Sequence, residues 1–371
     1  MSRQTLLLNW VYYYPVGHAI EAFKVAKGLS NANHNVDVHL LLNSSTAVEL
    51  AEACDWIAAT HPIDLDQVAR QGGDAACLRD IPTLWDYVVN DHRPTCSPFP
   101  FTAPLRIFHD LAATRFQARV WKGGHHELPS ARSPLYQRNA PIRMRVPEPA
   151  RAYLRGLDFS STNICVLPAG SSQEPIYPAV DWWRKALAML HLELPDAHFF
   201  LTGKSQPGER SSTIGFPKAA IADLLGLSAR IFDCYDAGIW NQMALLERCD
   251  VLIAPHTGFA FLAPSVGTPW LAVSGVRWPE CFFNDVPFYC VLPECTHYPC
   301  WKTMKRECSD LLAAKETVAC MAAPLDARIP DLIRGAHLLV SGGLSFDKAM
   351  QLYQARIGEM GFAQENFFQI V

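Results

Sequence analysis

No uninterrupted apolar run in this sequence of 371 residues reaches the roughly eighteen residues that a membrane-crossing helix needs. No transmembrane segment is therefore expected. Excess positive charge is missing as well: 32 Lys and Arg stand against 36 Asp and Glu, a formal net charge of −4. That balance gives no reason to expect nucleic acid as a partner. Only Arg3 precedes the first short apolar run, and no small-residue cleavage site follows, so a cytoplasmic location is the expectation. Internal repeats and low-complexity tracts are absent. Half of the residues are hydrophobic and 18% are charged, which describes a globular chain with ample core material. The length exceeds what one ordinary core occupies, and two domains are expected.

Two familiar signatures are also missing. The 12 cysteines include no C-x2-C pair of the zinc-ribbon kind. Cys290, Cys295, Cys300 and Cys308 cluster instead as C-x4-C-x4-C-x7-C. Free structural thiols are the favoured reading there, with a bound metal or a disulfide as alternatives. Cys54, Cys165, Cys234 and Cys249 lie inside apolar or helical patterns, where cysteine acts as a small hydrophobe. FLTGKS (200–205) carries the tail of a phosphate-loop signature. Its second glycine would fall at position 198, which is histidine, and QPGER follows where a helix should. An ATPase is excluded on those two counts.

What is present alternates. TLLLNWVY (5–12) reads as a strand, residues 19–31 as a helix with Ala19, Ala22, Phe23 and Ala26 at helical spacing, and VDVHLLL (36–42) as a second strand. Glu21, Lys24 and Lys27 fall on other faces of that helix. Residues 49–110 are acidic, with ten Asp or Glu against four Arg. From 115 to 155 the balance reverses to nine Lys or Arg against two Glu, interrupted by five prolines. The later part of that basic stretch reads as loop and linker, and a domain boundary is expected near residue 158.

The second half is more regular. Strand-like runs at 163–170, 197–203, 229–233, 250–255 and 269–275 alternate with helices at 181–194, the first capped by its Asp181, 238–249 and 259–267. This spacing predicts βαβ units on a parallel sheet. Gly170, Gly203, Pro255 and Gly275 end four of those runs, and the ends converge on one edge, where a phosphate-bearing ligand binds in open α/β sheets. The fold expected is α/β, with two Rossmann-like domains facing a central cleft. Residues 1–158 and 159–340 would be the two domains. The helical segment 341–371 would pack back on the N-terminal domain.

Three short stretches carry candidate chemistry. PAGSS (168–172) offers Gly170, the hydroxyls of Ser171 and Ser172, and backbone N–H groups suited to phosphate or ribose oxygens, although an ordinary βα loop has the same composition. HTG (256–258) sits where a strand hands over to an apolar helix. Backbone N–H groups there cradle a pyrophosphate without metal, Thr257 adds a hydroxyl, and Gly258 admits the ligand closely; alternatively Thr257 is only a cap. The third stretch is YYYPVGHAIEAF (12–23). Gly17 permits a tight turn, and His18 follows at a strand-to-helix handover. His18 is either a cap or packed side chain, or a residue at the strand edge where open α/β sheets place their ligands.

The order of these pieces resembles the GT-B glycosyltransferases of family 9, the ADP-heptose:lipopolysaccharide heptosyltransferase group. The match rests on PAGSS, PIYP (175–178), LTG and APHTGFAFLAPSVGTPWLAVSG (254–275). It covers residues 160–310 well and the N-terminal domain in outline. The resemblance implies a nucleotide-sugar donor site in the C-terminal domain, an acceptor site in the N-terminal one, and inversion at the anomeric carbon without metal or other cofactor. Three positions depart from the family. The lysine of its K-x-W-P element falls at Pro175, the aspartate of its D-[ST]-G element is His256, and the usual histidine of the next helix falls near Phe261. A changed donor is implied.

The function expected is a glycosyltransferase that moves a sugar from a nucleotide diphosphate sugar to a hydroxyl acceptor on a small molecule or glycan. His18 would be its base. Gly170, Ser171, Ser172, Gly203, His256, Thr257 and Gly258 would hold the donor, with Lys204 and Arg277 adding positive charge. Gly17 and Tyr14 would lie on the acceptor side, where the basic stretch 115–155 would shape a site for an anion or simply be a solvated face. Rival readings are a nucleotide-sugar 2-epimerase and a non-catalytic nucleotide-sugar-binding subunit.

Overall fold

The structure, a computed structural model, describes residues 3–12, 16–91, 102–119, 136–170, 176–205, 216–275, 284–295, 298 and 306–360. It divides into two compact units, the first ending at Met144 and the second beginning at Arg145. The break precedes the expected boundary near residue 158. The reason is the helix Glu148–Arg151, which belongs to the second unit: Arg151 grips Glu247 with both Nε and Nη2, each at 2.9 Å.

The first unit runs β1 (Gln4–Asn9), α1 (Val16–Ala32), β2 (Val36–Asn43), β3 (Ala59–Ile63), α2 (Leu65–Gln71), β4 (Leu84–Trp85), β5 (Tyr87–Asn90), α3 (Ala103–Arg115) and β6 (Gln117–Ala118). Strands β3-β2-β1-β5 form a parallel sheet in that order, and β4 pairs with β6 alongside. Leu6, Leu7 and Leu8 of β1 are all buried, which marks a strand covered on both faces. Leu7 joins Leu41, Val68, Leu78 and Phe108 in the layer built by α2 and α3. Side chains alternate along a strand, so Leu6 and Leu8 serve the opposite face. Asp64 caps α2 by accepting the Gln67 N–H at 2.9 Å.

Helix α1 is buried far around its circumference, including Lys24, whose Nζ donates to the Ala140 carbonyl at 3.2 Å. The sequence placed Lys24 on an outer face. It is covered because residues 136–144 are a loop that packs as a strap over α1, burying Tyr136, Ala140, Ile142 and Met144. The strap fits because residue 28 is glycine: the Gln137 N–H donates to the Gly28 carbonyl at 3.0 Å, and a Cβ there would run into the Tyr136 ring.

The second unit contains α4 (Glu148–Arg151), β7 (Thr162–Val166), α5 (Val180–Glu193), β8 (Ala197–Gly203), α6 (Lys218–Leu225), β9 (Ile231–Tyr235), α7 (Ile239–Arg248), β10 (Val251–Pro255), α8 (Leu262–Val266), β11 (Trp270–Val273), β12 (Phe288–Val291), α9 (Arg306–Ala313), α10 (Ile329–Val340) and α11 (Phe346–Glu359). The sheet order is β12-β11-β10-β7-β8-β9, all parallel. This is the order of a doubly wound Rossmann sheet, with the first strand central and the chain reversing its direction of growth between β7 and β10. The first unit repeats the first four strands of the same plan.

Several local expectations change. Helix α5 begins at Val180 with Ala179 as its cap residue, and Asp181 pairs instead with Arg184 at 2.9 Å. There it favours the helix through the positive end of the dipole, without capping it. The apolar segment 259–267 is a 3-10 turn, Phe259–Phe261, followed by the short α8, which Gly267 ends with a left-handed φ of 95°. The final helix α11 packs on its own unit. Phe346 and Tyr353 pack on Phe288 of β12, and Arg356 donates to the Cys290 carbonyl at 2.8 Å and pairs with Asp331 at 2.7 Å. The Tyr289 hydroxyl donates to the other Asp331 oxygen at 2.5 Å, and burial pushes that phenol up to about 12. Residues 361–371 lie outside the described residues. Among the described residues, no helix is long and apolar enough to cross a membrane.

Candidate functional site

In the second unit the crevice of interest lies where β7 and β10 part at their carboxyl ends. β7 leads into Pro168-Ala169-Gly170 and β10 into His256-Thr257-Gly258, so the two loops flank one point. They touch there: a Cβ added to Gly170 would stand 2.7 Å from Thr257 Cγ2 and 2.5 Å from the Tyr177 hydroxyl. Glycine is required at 170 for that approach. Thr257 is buried, and its Oγ1 accepts the Ala260 N–H at 3.2 Å, so the hydroxyl does cap the following turn. Gly258 has ordinary right-handed backbone angles, φ −59° and ψ −32°. The His256 ring meets Phe261 edge-on at 5.5 Å, and Phe261 meets Trp270 in the same way.

Gly203 and Lys204 end the neighbouring strand β8 at the same edge. The Gly203 carbonyl is engaged by Gln242 Nε2 at 2.7 Å and by the Asp236 N–H at 3.1 Å, while Lys204 is exposed. Ser171, Ser172, Pro175 and Arg277 lie outside the described residues. Among the described residues, Ser274 at the end of β11 buries a hydroxyl without a hydrogen-bond partner. Sequence reasoning did not single out Ser274 or Tyr177.

The matching crevice of the first unit, between β1 and β5, is lined differently. Asn9 and Asn90, the last residues of the two strands, join through Asn9 Nδ2 and Asn90 Oδ1 at 2.9 Å. Asp91 follows, 3% exposed, its N–H donating to the Asn9 carbonyl at 2.9 Å. Asn43, the last residue of β2, donates to the Tyr12 carbonyl at 3.2 Å. His109 of α3 lies across from them at 2.9 Å from the Val11 carbonyl. A carbonyl only accepts, so Nε2 carries the proton of the neutral ring. Burial holds this imidazole below its ordinary value, against the Val11 bond and the nearby Asp91 and Asp110. None of these polar residues was singled out from the sequence. The signal was there: LLLN occurs at both 6–9 and 40–43, and VVN at 88–90.

His18 stands in the first turn of α1, beside buried Gly17. Its Nδ1 lies 3.1 Å from Glu21 Oε2, and its ring meets Tyr12 edge-on at 4.9 Å. Tyr14 is outside the described residues. A cavity of about 760 Å³ opens at the opposite, amino-terminal edge of this sheet, lined by Arg3, His39, Trp85 and Arg119 among others. Ligands of open parallel sheets gather at the carboxyl edge, so that cavity is separate from the strand-end crevice.

Cys54, Cys165, Cys234 and Cys249 are buried free thiols and Cys290 is buried; Cys295 and Cys308 are free and half-buried, and Cys300 is outside the described residues. Among the described residues, no three His, Cys, Asp or Glu side chains are grouped to hold a metal ion.

No family model and no curated protein match this sequence. The fold does match solved structures. The glycosyl transferase family 9 protein of Veillonella parvula aligns over 92% of this chain and 98% of its own at 10% identity, with a TM-score of 0.56. The ADP-heptose lipopolysaccharide heptosyltransferase II of E. coli aligns over 89% and 98% at 11% identity, also at 0.56. The iron-containing dodecameric glycosyltransferase TibC of enterotoxigenic E. coli aligns over 91% and 77% at 12% identity, with a TM-score of 0.52. At such identities the likeness is one of fold. The chain has the GT-B architecture of two Rossmann-like units and resembles the family 9 glycosyltransferases in that respect.

Proposed function

We propose that this protein is an inverting glycosyltransferase that moves a sugar from a nucleotide diphosphate sugar to a hydroxyl acceptor without a metal ion. The observation that carries the reading is the meeting of Gly170 and Thr257 at the switch point of a Rossmann sheet. Two strand-end loops there offer backbone N–H groups where a diphosphate needs donors. Ser171, Ser172, His256, Gly258, Lys204 and Arg277 complete the donor side in this reading. The donor is of the class named for the E. coli heptosyltransferase, a nucleotide diphosphate sugar, but His256 and Pro175 argue against assuming the same sugar. Free thiols in both units suit a reducing, cytoplasmic setting.

His18 acts as the base. As the acceptor oxygen attacks the anomeric carbon, its proton passes to His18 Nε2, the new C–O bond forms, and the bond to the diphosphate breaks on the opposite face. A single displacement of this kind inverts the anomeric centre. The test is a thermal-shift screen against nucleotide diphosphates and their sugars, since a ligand that binds only the folded state raises its melting temperature. Turnover of the stabilising sugar is then followed with and without candidate acceptors. Stabilisation together with acceptor-dependent release of nucleotide diphosphate supports the transferase. Acceptor-independent conversion of the sugar supports an epimerase, and no stabilisation by any of them overturns the reading.

A further inference from the structure

We infer that Glu21 is a positioning residue that fixes the tautomer and orientation of His18. This rests on the reading of His18 as base. A neutral imidazole has one nitrogen that donates and one that accepts, and only the accepting nitrogen can take a proton. A carboxylate only accepts, so the 3.1 Å contact between His18 Nδ1 and Glu21 Oε2 places the ring proton on Nδ1. The lone pair then sits on Nε2, at the far end of the ring. The spacing i, i+3 on α1 makes the contact a product of helix geometry. Both side chains are shielded, at 29% and 17% exposure, and Tyr12 closes on the ring from the segment after β1. Among the described residues, Glu21 on its own helix and the Tyr12 ring face His18.

The Glu21 carboxylate lies one turn further along α1 than His18 and acts through the imidazole. When Nε2 accepts the acceptor's proton, the imidazolium formed keeps its Nδ1–H on Glu21, whose negative charge stabilises it. The proton later leaves to solvent from Nε2. In a hydrolase triad, replacing the carboxylate that holds the histidine by its amide leaves the geometry intact and selects the wrong tautomer. The substitution Glu21→Gln would do the same here, because the amide N–H it introduces can donate to Nδ1.

The experiment needs no substrate for its first part. Long-range ¹H–¹⁵N spectra of the full-length protein, with His18 assigned by its loss in His18→Ala, report which ring nitrogen is protonated. The parent is expected to show the Nδ1–H form, and Glu21→Gln to shift His18 to the Nε2–H form while melting normally. In the second part, Glu21→Gln is expected to lower kcat about tenfold or more and to leave KM for the stabilising nucleotide sugar unchanged. An Nε2–H tautomer in the parent, or an unchanged spectrum and kcat in Glu21→Gln, overturns the inference. Full turnover by His18→Ala instead overturns the base assignment itself, and the tautomer spectra separate the two failures.

Discussion

The two units share one plan of strands and treat its carboxyl edge in opposite ways. The second unit lines its crevice with Gly170, Thr257 and Gly258, which add little side chain to the backbone there. The first lines its own with side chains: Asn9, Asn90 and Asp91 behind, His18 and His109 across. Backbone N–H groups hold a charged ligand without needing to change protonation state. Moving a proton requires a titratable side chain held in place. The contrast teaches that the fold supplies two equivalent crevices, and that in the proposed reading the strand-end residues suit one to holding and the other to chemistry.

The largest test of that contrast is His18→Ala. It should fold and bind donor normally while turnover falls by on the order of a hundredfold or more. A lower melting temperature with unchanged turnover per folded molecule would make His18 a packing residue and leave the first crevice without its chemistry. Next is Gly258→Val, which should weaken donor binding by roughly tenfold in calorimetry by blocking backbone approach. Its right-handed backbone accepts a side chain, so folding should survive. Normal affinity would move the phosphate site elsewhere. Gly170→Ala should cost about 1–3 kcal/mol of stability in urea unfolding, because its methyl group enters space held by Thr257 and Tyr177. No loss would mean that the two loops do not meet.

A smaller difference concerns acid. Burial holds His39, His61 and His109 of the first unit below the ordinary imidazole value, against His191 of the second. Depressed histidines bind protons more readily in the unfolded chain, so their contribution is present above about pH 6.5 and is lost as pH falls below it. Hydrogen exchange at pH 7.5 and 5.5 should show the first unit loosening more. Equal loosening would remove the distinction. The smallest expected effect is that of EDTA on turnover, which should be none. A loss restored by Mg²⁺ or Mn²⁺ would show that the backbone crevice needs help from a cation.

Much of this was legible in the sequence because parallel strands covered on both faces appear as short continuous apolar runs between turn residues. The strands around 163–170, 197–203 and 250–255 announce themselves that way. Three things were not local. The strap over α1 alternates buried and exposed residues from Ala140 to Met144, but Pro141, Arg138 and Arg143 disguise it as a linker. The meeting of Gly170 with Thr257 joins residues 87 positions apart through strand order, which no single segment encodes. The partner of His18 was visible three residues on, yet Glu21 also fits an ordinary outer-face charge. Segment 259–267 misled in the other direction: an apolar stretch looks helical until Pro264 and Gly267 shorten it.

The central place of β7 bears on how the chain is made. It leaves the ribosome before any other strand of its sheet, and its second edge stays unpaired until β10 follows, 85 residues after β7 ends. At ordinary rates of synthesis that wait lasts roughly 4–17 s. Through it, an apolar strand with Ile164, Cys165 and Val166 presents open N–H and C=O groups to any passing chain. Crowded overexpression should therefore trap nascent second units by strand-to-strand association, and slower synthesis at low temperature would relieve this only where β10 still arrives before a foreign strand does.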